Sequence, residues 1–347
     1  MQTPAVPPHH RTLDARLAYH ATHRPEHPAL RCAGVEVTYG RLYAESARGA
    51  LALAAAGLTK GSRVGYLGKE SVRFYELLFA CAASGAVLVP VNWRLAPADV
   101  AYILRDSHAE LLFTDAEFLP TAREIRPDLP DLRQLVLLDG TGKAARTFRD
   151  WKDAGRGAPA PALSDTGDAV AQMYTSGTTG LPTCAVLAHR SFFAARGGPD
   201  NAGPDEIGFR PDDISLIGIS GSHIGGLWYA TQGFNAGVTN IALRSFGSRE
   251  ALETIRGSGV TTAFLVPAML LMLLDEPGAA EADFVTLRKV VHGGSPVAGP
   301  LRRRCIAVMR CDLAQLRGLP GSGDTAGGLP PAGHFSGSPH LRATGRA

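Results

Sequence analysis

At 347 residues the chain is too long for one compact core, and the length implies two or three packed lobes. Hydrophobic residues supply 45% of it and charged residues 19%, the balance of an ordinary globular protein. A formal net charge of +3, with no arginines interleaved among aromatics, argues against nucleic acid as a partner. The five cysteines are scattered and form no Cys-x-x-Cys pair, and no apolar run is long enough to cross a bilayer; the composition points to a reducing compartment and a cytoplasmic protein.

In chain order, apolar periodicity predicts an amphipathic helix over 13–23, a hairpin of strands 29–31 and 35–38 around Gly34, and an alanine-rich helix over 39–56. Strand 63–67, helix 71–83, strand 87–91, helix 97–105 and strands 111–114 and 135–138 complete a first α/β lobe, residues 1–139. Residues 140–166, rich in Gly, Ala and Pro, read as a connector. A second lobe, 167–318, opens with a short apolar strand, then strand 185–187, helix 191–196, strand 213–219 and helix 226–234. Strand 239–243, helix 249–256, strand 262–266, helix 268–274, strand 288–291 and helix 299–310 follow. Residues 319–347 are rich in glycine and proline, a composition that predicts an irregular tail. Strands separated by helices require right-handed crossovers, so the expected fold is α/β: two lobes built on mainly parallel sheets, with a cleft between them.

The chemistry concentrates in the segment YTSGTTGLPTCAVLAHR, residues 174–190. After the apolar run Ala169, Val170, Ala171 and Met173, the residues Thr175, Ser176, Gly177, Thr178, Thr179 and Gly180 combine hydroxyls with glycines. Backbone N–H groups can approach an anion where no Cβ blocks them, and the hydroxyls add donors, so the loop makes a phosphate cradle. It lacks the Gly-Lys-Ser/Thr of a Walker A loop. A bland hydroxyl-rich turn is the plain alternative. The order Tyr-Thr-Ser-Gly-Thr-Thr-Gly-Leu-Pro, followed by an apolar stretch and His189-Arg190-Ser191, resembles the phosphate loop of the adenylate-forming superfamily: acyl-CoA synthetases, luciferases and the adenylation domains of peptide synthetases. The resemblance implies that Thr175 to Gly180 hold the phosphates of ATP, with Thr175 as a hydroxyl on the magnesium side. In that family the loop continues Pro-Lys-Gly; here Pro182, Thr183 and Cys184 follow, so Thr183 stands in the lysine's place. Cys184 reads as a small residue entering a buried strand, with a reactive thiol as the alternative.

Two further constellations end predicted strands, where open α/β sheets bind ligands. His223 lies in Gly221-Ser222-His223-Ile224-Gly225-Gly226, and its glycines allow a ligand or the next helix to approach closely; a structural histidine is the competing reading. By resemblance, His223 and Gly225 border the carboxylate and acyl sites, with Ser222 replacing the family's aromatic residue. In His292-Gly293-Gly294-Ser295-Pro296, bare backbone can lie against a planar base; a strand-to-helix turn with Pro at the helix start is the alternative. By resemblance, Gly293, Gly294, Ser295 and Pro296 line the adenine and acyl sites. The family's Tyr-Gly-x-Thr-Glu reads here Arg317-Gly318-Leu319-Pro320-Gly321, so Gly321 replaces the glutamate that holds magnesium. The stretches 91–95 and 101–106 resemble acid–CoA ligases and read physically as a capping turn and an amphipathic helix. Arg302-Arg303-Arg304 reads as a solvated helix face, with a phosphate or CoA contact as the alternative.

The resemblance implies a two-step reaction. A carboxylate attacks the α-phosphate of ATP to give an acyl-adenylate and pyrophosphate, and a thiol, commonly that of CoA, then displaces AMP. The implied ligands are ATP, magnesium, CoA and a fatty or aryl carboxylic acid; a homo-oligomer is left open. With Thr183 and Gly321 in place of charged residues, and the family's C-terminal lid domain with its lysine expected beyond Ala347, no catalytic residue is assigned. The expectation is a truncated acid–CoA ligase of impaired activity. The alternative is a non-catalytic remnant that binds nucleotide or acyl groups, or a partner subunit.

Overall fold

The computed structural model describes residues 11–140, 145–160, 162–175, 182–193, 207–318 and 325–329. The first elements are α1 (Leu13–His23), β1 (Pro28–Cys32), β2 (Val35–Thr38), α2 (Tyr39–Ala55), β3 (Arg63–Leu67), α3 (Val72–Ser84) and β4 (Val87–Val91). Next come α4 (Pro97–Asp106), β5 (Ala109–Thr114), α5 (Leu119–Ile125), β6 (Gln134–Leu137), β7 (Arg146–Thr147) and α6 (Phe148–Asp153). The hairpin β8 (Ala169–Thr175) and β9 (Thr183–Ala188) precedes β10 (Ile214–Ile217), α7 (Ile224–Ala236), β11 (Thr239–Ala242), α8 (Ser248–Ser258) and β12 (Thr262–Leu265). The last are α9 (Pro267–Leu274), β13 (Lys289–His292), α10 (Gly299–Met309), β14 (Asp312–Gly318) and β15 (Thr325–Leu329).

Local chemistry sets several helix starts. The side chains of Thr38, Ser71 and Thr147 accept the N–H groups of Arg41, Phe74 and Asp150, satisfying donors that the first turn leaves open. Gly85 ends α3 with φ 74°, a conformation that a side chain would strain. Strand β4 is buried at every residue and β5 at all but one, as sheets covered on both faces require.

The chain divides into two compact units, each with its own sheet. One holds α1 and Val37–Arg190, around a seven-stranded sheet in the order β7-β6-β5-β3-β4-β8-β9. It is parallel from β7 to β8, and only the β8–β9 hairpin is antiparallel. The other holds Pro28–Glu36 and the chain from Ser191, around an eight-stranded sheet in the order β15-β14-β13-β12-β10-β11-β1-β2. There β1, β11, β10, β12, β13 and β14 run parallel and β15 is antiparallel. The α/β class with two mainly parallel sheets is therefore as the sequence predicts.

The boundaries differ from that reading. Strand β1 does not stay with the first lobe: it pairs in parallel with β11, Leu30 opposite Asn240, because its apolar face meets the second sheet 210 positions along. Strands β8 and β9 belong to the first sheet, β8 lying beside β4, so the first unit runs to Arg190 rather than to 139. The expected connector holds α6, whose Phe148 and Trp151 are each 2% exposed, two apolar anchors in a Gly- and Ala-rich setting. The irregular tail expected over 319–347 includes strand β15, paired with β14. The helix expected over 191–196 is, in its described part, a tight 3-10 turn at His189–Phe192.

Candidate functional site

The segment expected to hold phosphate starts at Thr175, the last residue of β8, whose neighbour β4 runs parallel to it, and the antiparallel strand β9 begins at Thr183. Thr175 and Thr183 pair across the neck of the β8–β9 hairpin, with hydroxyl oxygens 3.3 Å apart. Thr183, in the family lysine's place, is exposed; Ser176, Gly177, Thr178, Thr179 and Gly180 lie outside the described residues. Cys184 is exposed on β9, which corrects its reading as a residue of a buried strand: its neighbour strand covers one side only, at the sheet's edge.

Behind the neck, Tyr174 donates to Asp106 Oδ2 at 2.6 Å and accepts from Gln172 Nε2 at 2.8 Å. Burial, and then the hydrogen bond to the Asp106 carboxylate, push the Tyr174 phenol well above its ordinary range, so it stays a donor. Beyond β9, His189 is fully buried and its Nδ1 accepts the N–H of Leu13, one of the donors that the start of α1 leaves open, at 3.0 Å. An accepting Nδ1 places the ring proton on Nε2. Burial holds the imidazole below its ordinary value despite the Asp14 and Asp168 carboxylates nearby.

In the second unit, β10, β12 and β13 lie side by side, and their carboxyl ends bring the two other predicted segments to one sheet edge. The turn after β10 is closed by the Ser220 and Ser222 hydroxyls, 3.0 Å apart, and by the His223 N–H bonded to the Ser220 carbonyl at 3.0 Å. That turn leaves His223 exposed as the N-cap of α7. A Cβ on Gly226 would lie 2.2 Å from the Ser220 carbonyl oxygen, so only glycine lets α7 start there. Gly225 faces the Phe264 ring, 3.2 Å from where its Cβ would be; this glycine is spent on helix–sheet packing. After β13, whose last residue His292 is buried in register with Leu265 and Gln315, Gly293 is buried while Gly294, Ser295 and Pro296 are exposed. Gly294 has φ +83°, the left-handed turn that aims this segment into α10. Gly321 lies outside the described residues.

The sequence matches the model of a protein family, the AMP-binding enzymes, over residues 17–329. The chain belongs to that family. Among curated members of the AMP-binding family, it is 49% identical to the fatty acid–acyl-carrier-protein ligase ScoC of Streptomyces coeruleorubidus over 339 residues, covering 97% of this chain and 64% of that protein. It is 31% identical to the fatty acid–acyl-carrier-protein ligase MmaC of Mycobacterium marinum, over 92% of this chain and 60% of that protein. The chain thus spans less than two thirds of the length of these relatives. Among solved AMP-binding structures, the N-terminal domain of FACL13 from Mycobacterium tuberculosis matches with a TM-score of 0.82 and 28% identity, over 93% of this chain and 80% of that domain.

Sequence reasoning missed Asp106, Gln172 and Phe264 around these segments. A polar Gln172 and an aromatic Tyr174 at i, i+2 in an apolar strand were the available signal for a tie on one sheet face. Nothing local marks Phe264 as the partner of Gly225. Among the described residues no group of three or more His, Cys, Asp or Glu is placed to hold a metal ion, and no helix is long and apolar enough to cross a membrane.

Proposed function

We propose that this chain is the nucleotide- and acid-binding part of an acid–thiol ligase. The observation that carries the reading is the hairpin β8–β9: the hydroxyl- and glycine-rich sequence 175–180 follows the carboxyl end of a parallel strand, where anions are held in such sheets. In this reading, Thr175, Ser176, Gly177, Thr178, Thr179 and Gly180 cradle the ATP phosphates. Gly293, Gly294, Ser295 and Pro296 lie against the base, and His223 borders the acid's carboxylate.

The substrate carboxylate oxygen attacks the α-phosphorus and the bond to pyrophosphate breaks. A thiol, giving up its proton to solvent, then attacks the acyl carbon through sulfur, the acyl–oxygen bond to AMP breaks, and AMP leaves. The chain's part is to position these groups and to donate hydrogen bonds to the developing charge. Magnesium would arrive on the nucleotide, and Thr175 offers it one neutral oxygen. Thr183 also supplies only a neutral donor, so we expect turnover by this chain alone to be slow.

The acid is a fatty or aryl carboxylic acid, by likeness to the relatives. Their naming as acyl-carrier-protein ligases favours a carrier-protein thiol over that of CoA as acceptor. The test is pyrophosphate release with MgATP and a series of short, medium and long carboxylic acids, with CoA and a carrier protein compared as acceptors. Acid-dependent release supports the ligase. Binding of MgATP with no release under any acid supports the non-catalytic alternative, and the absence of both overturns the nucleotide reading.

A further inference from the structure

Gln172 and Tyr174 sit two residues apart on β8 and so share one face of the seven-stranded sheet. A directed chain of hydrogen bonds crosses that face. Arg63 Nε donates to Gln172 Oε1 at 3.1 Å, Gln172 Nε2 donates to the Tyr174 hydroxyl at 2.8 Å, and Tyr174 donates to Asp106 Oδ2 at 2.6 Å. Every donor points the same way, and the chain ends on a carboxylate, the strongest acceptor available. Gln172 is 4% exposed, so its amide is committed to this line. The Tyr174 side chain meanwhile packs against the core built on β4 and α4. An apolar side chain would fill that space equally well; the hydroxyl adds a tie from the end of β8 to the last residue of α4.

We propose that Tyr174, anchored on Asp106, is a positioning residue: it fixes where β8 ends, and hence where the phosphate-binding loop that starts at Thr175 departs. The proposal rests on the reading of residues 175–180 as the phosphate cradle. The donors of a loop are preorganised only as well as its two stems are held. One stem is held at Tyr174, and the neck pair Thr175–Thr183 passes that restraint to the other.

The test uses Tyr174→Phe, Asp106→Ala and Asp106→Asn in the full chain. Calorimetry measures MgATP and a medium-chain fatty acid separately, and hydrogen exchange follows the amides of Thr175 and Thr183 without nucleotide. Y174F and D106A should weaken MgATP about 3- to 10-fold, the scale of supporting contacts that touch no ligand. They should leave fatty-acid affinity unchanged and speed exchange at the neck more than within β3 and β4. D106N, which keeps an acceptor, should recover most of the MgATP affinity. Equal loss of both ligands would show a merely structural role and overturn the proposal, as would MgATP affinity unchanged in Y174F. If the parent chain binds no MgATP, the phosphate reading fails on its own; the tie is then judged by exchange at the neck, and unchanged exchange in Y174F overturns it.

Discussion

A threonine hydroxyl at position 183 donates one neutral hydrogen bond, where an ammonium would bring a full positive charge to a phosphate. Thr183 is exposed at the hairpin neck, so a longer side chain there meets no packing obstacle. Thr183→Lys is expected to tighten MgATP about tenfold, since a charge-assisted bond exceeds a neutral one by roughly 1.4 kcal/mol. Calorimetry at low and high salt checks it: the gain should shrink with salt, and a salt-independent or absent gain rejects position 183 as a phosphate neighbour. His189 carries a second residue-scale prediction. Burial holds its folded-state pKa below the ordinary value, which is about 6.5 in an unfolded chain. Below that pH the unfolded chain takes up a proton that the native ring refuses, so the stability from neutral His189 is complete above about pH 6.5 and declines as pH falls through the depressed folded value. Protonation would also remove the Nδ1 acceptor from the Leu13 N–H. Urea unfolding from pH 8 to pH 5 should show a steeper loss for the parent than for His189→Gln; parallel curves would contradict it. The role of His189 was not legible in the sequence, where His189-Arg190 served only as part of a motif, because its partner lies 176 positions away.

At the scale of elements, α2, α3 and α6 are tied by one buried cation. Lys152 Nζ lies 2.6 Å from Glu45 Oε2 and 2.7 Å from Glu76 Oε2, and its side chain is 7% exposed. Burial alone would raise the Glu45 carboxyl; the hydrogen bond and charge of Lys152, with Arg48 and Arg41 adding to them, hold it below its usual range. Lys152→Met would take the buried cation from Glu76 and leave Glu45 with Arg48 and Arg41 alone. Breaking a buried pair from one side costs about 3–5 kcal/mol, against less than about 1 kcal/mol for an exposed pair such as Arg31–Glu36. Chemical denaturation should show a loss of that size, partly relieved when Glu76→Gln is added; a loss below 1 kcal/mol would mean that the cluster is solvated. Helix α6 also marks the limit of periodicity. The segments 63–114 and 213–310 were readable because each alternates strand and helix lengths with strong apolar repeats. Helix α6 has only six residues, and its burial rests on Phe148 and Trp151, too few positions to define a period.

At the scale of the whole molecule, the sequence order of elements is legible but their assignment to sheets is not. Strand β1 has the same composition whichever sheet it joins; what commits it is the exposed edge of β11. There Asn240 Nδ2 donates to the Ala29 carbonyl at 3.1 Å and Thr239 Oγ1 donates to the Pro28 carbonyl at 3.0 Å. The β8–β9 hairpin is likewise claimed by β4, through Leu88 opposite Ala171, a pairing with no local signature. The chain therefore leaves one unit after His27, contributes β1 to the other, and returns near Val37. A cut after Arg190 separates the sheets in sequence but strips β1 and β2 from the eight-stranded one. Residues 191–347 alone should then expose the long edge of β11, whose four residues are all buried in the intact chain, and an exposed apolar edge favours association over folding. That fragment is expected to aggregate or to melt without cooperativity, and a peptide of residues 28–38 added in trans should raise its melting temperature. Peptide variants with Ala29 and Leu30 replaced by Asp should not rescue it, because both side chains are fully buried in the native sheet. If the fragment instead melts cooperatively at the temperature of the intact chain, β1 is an ornament of the second sheet rather than one of its structural strands.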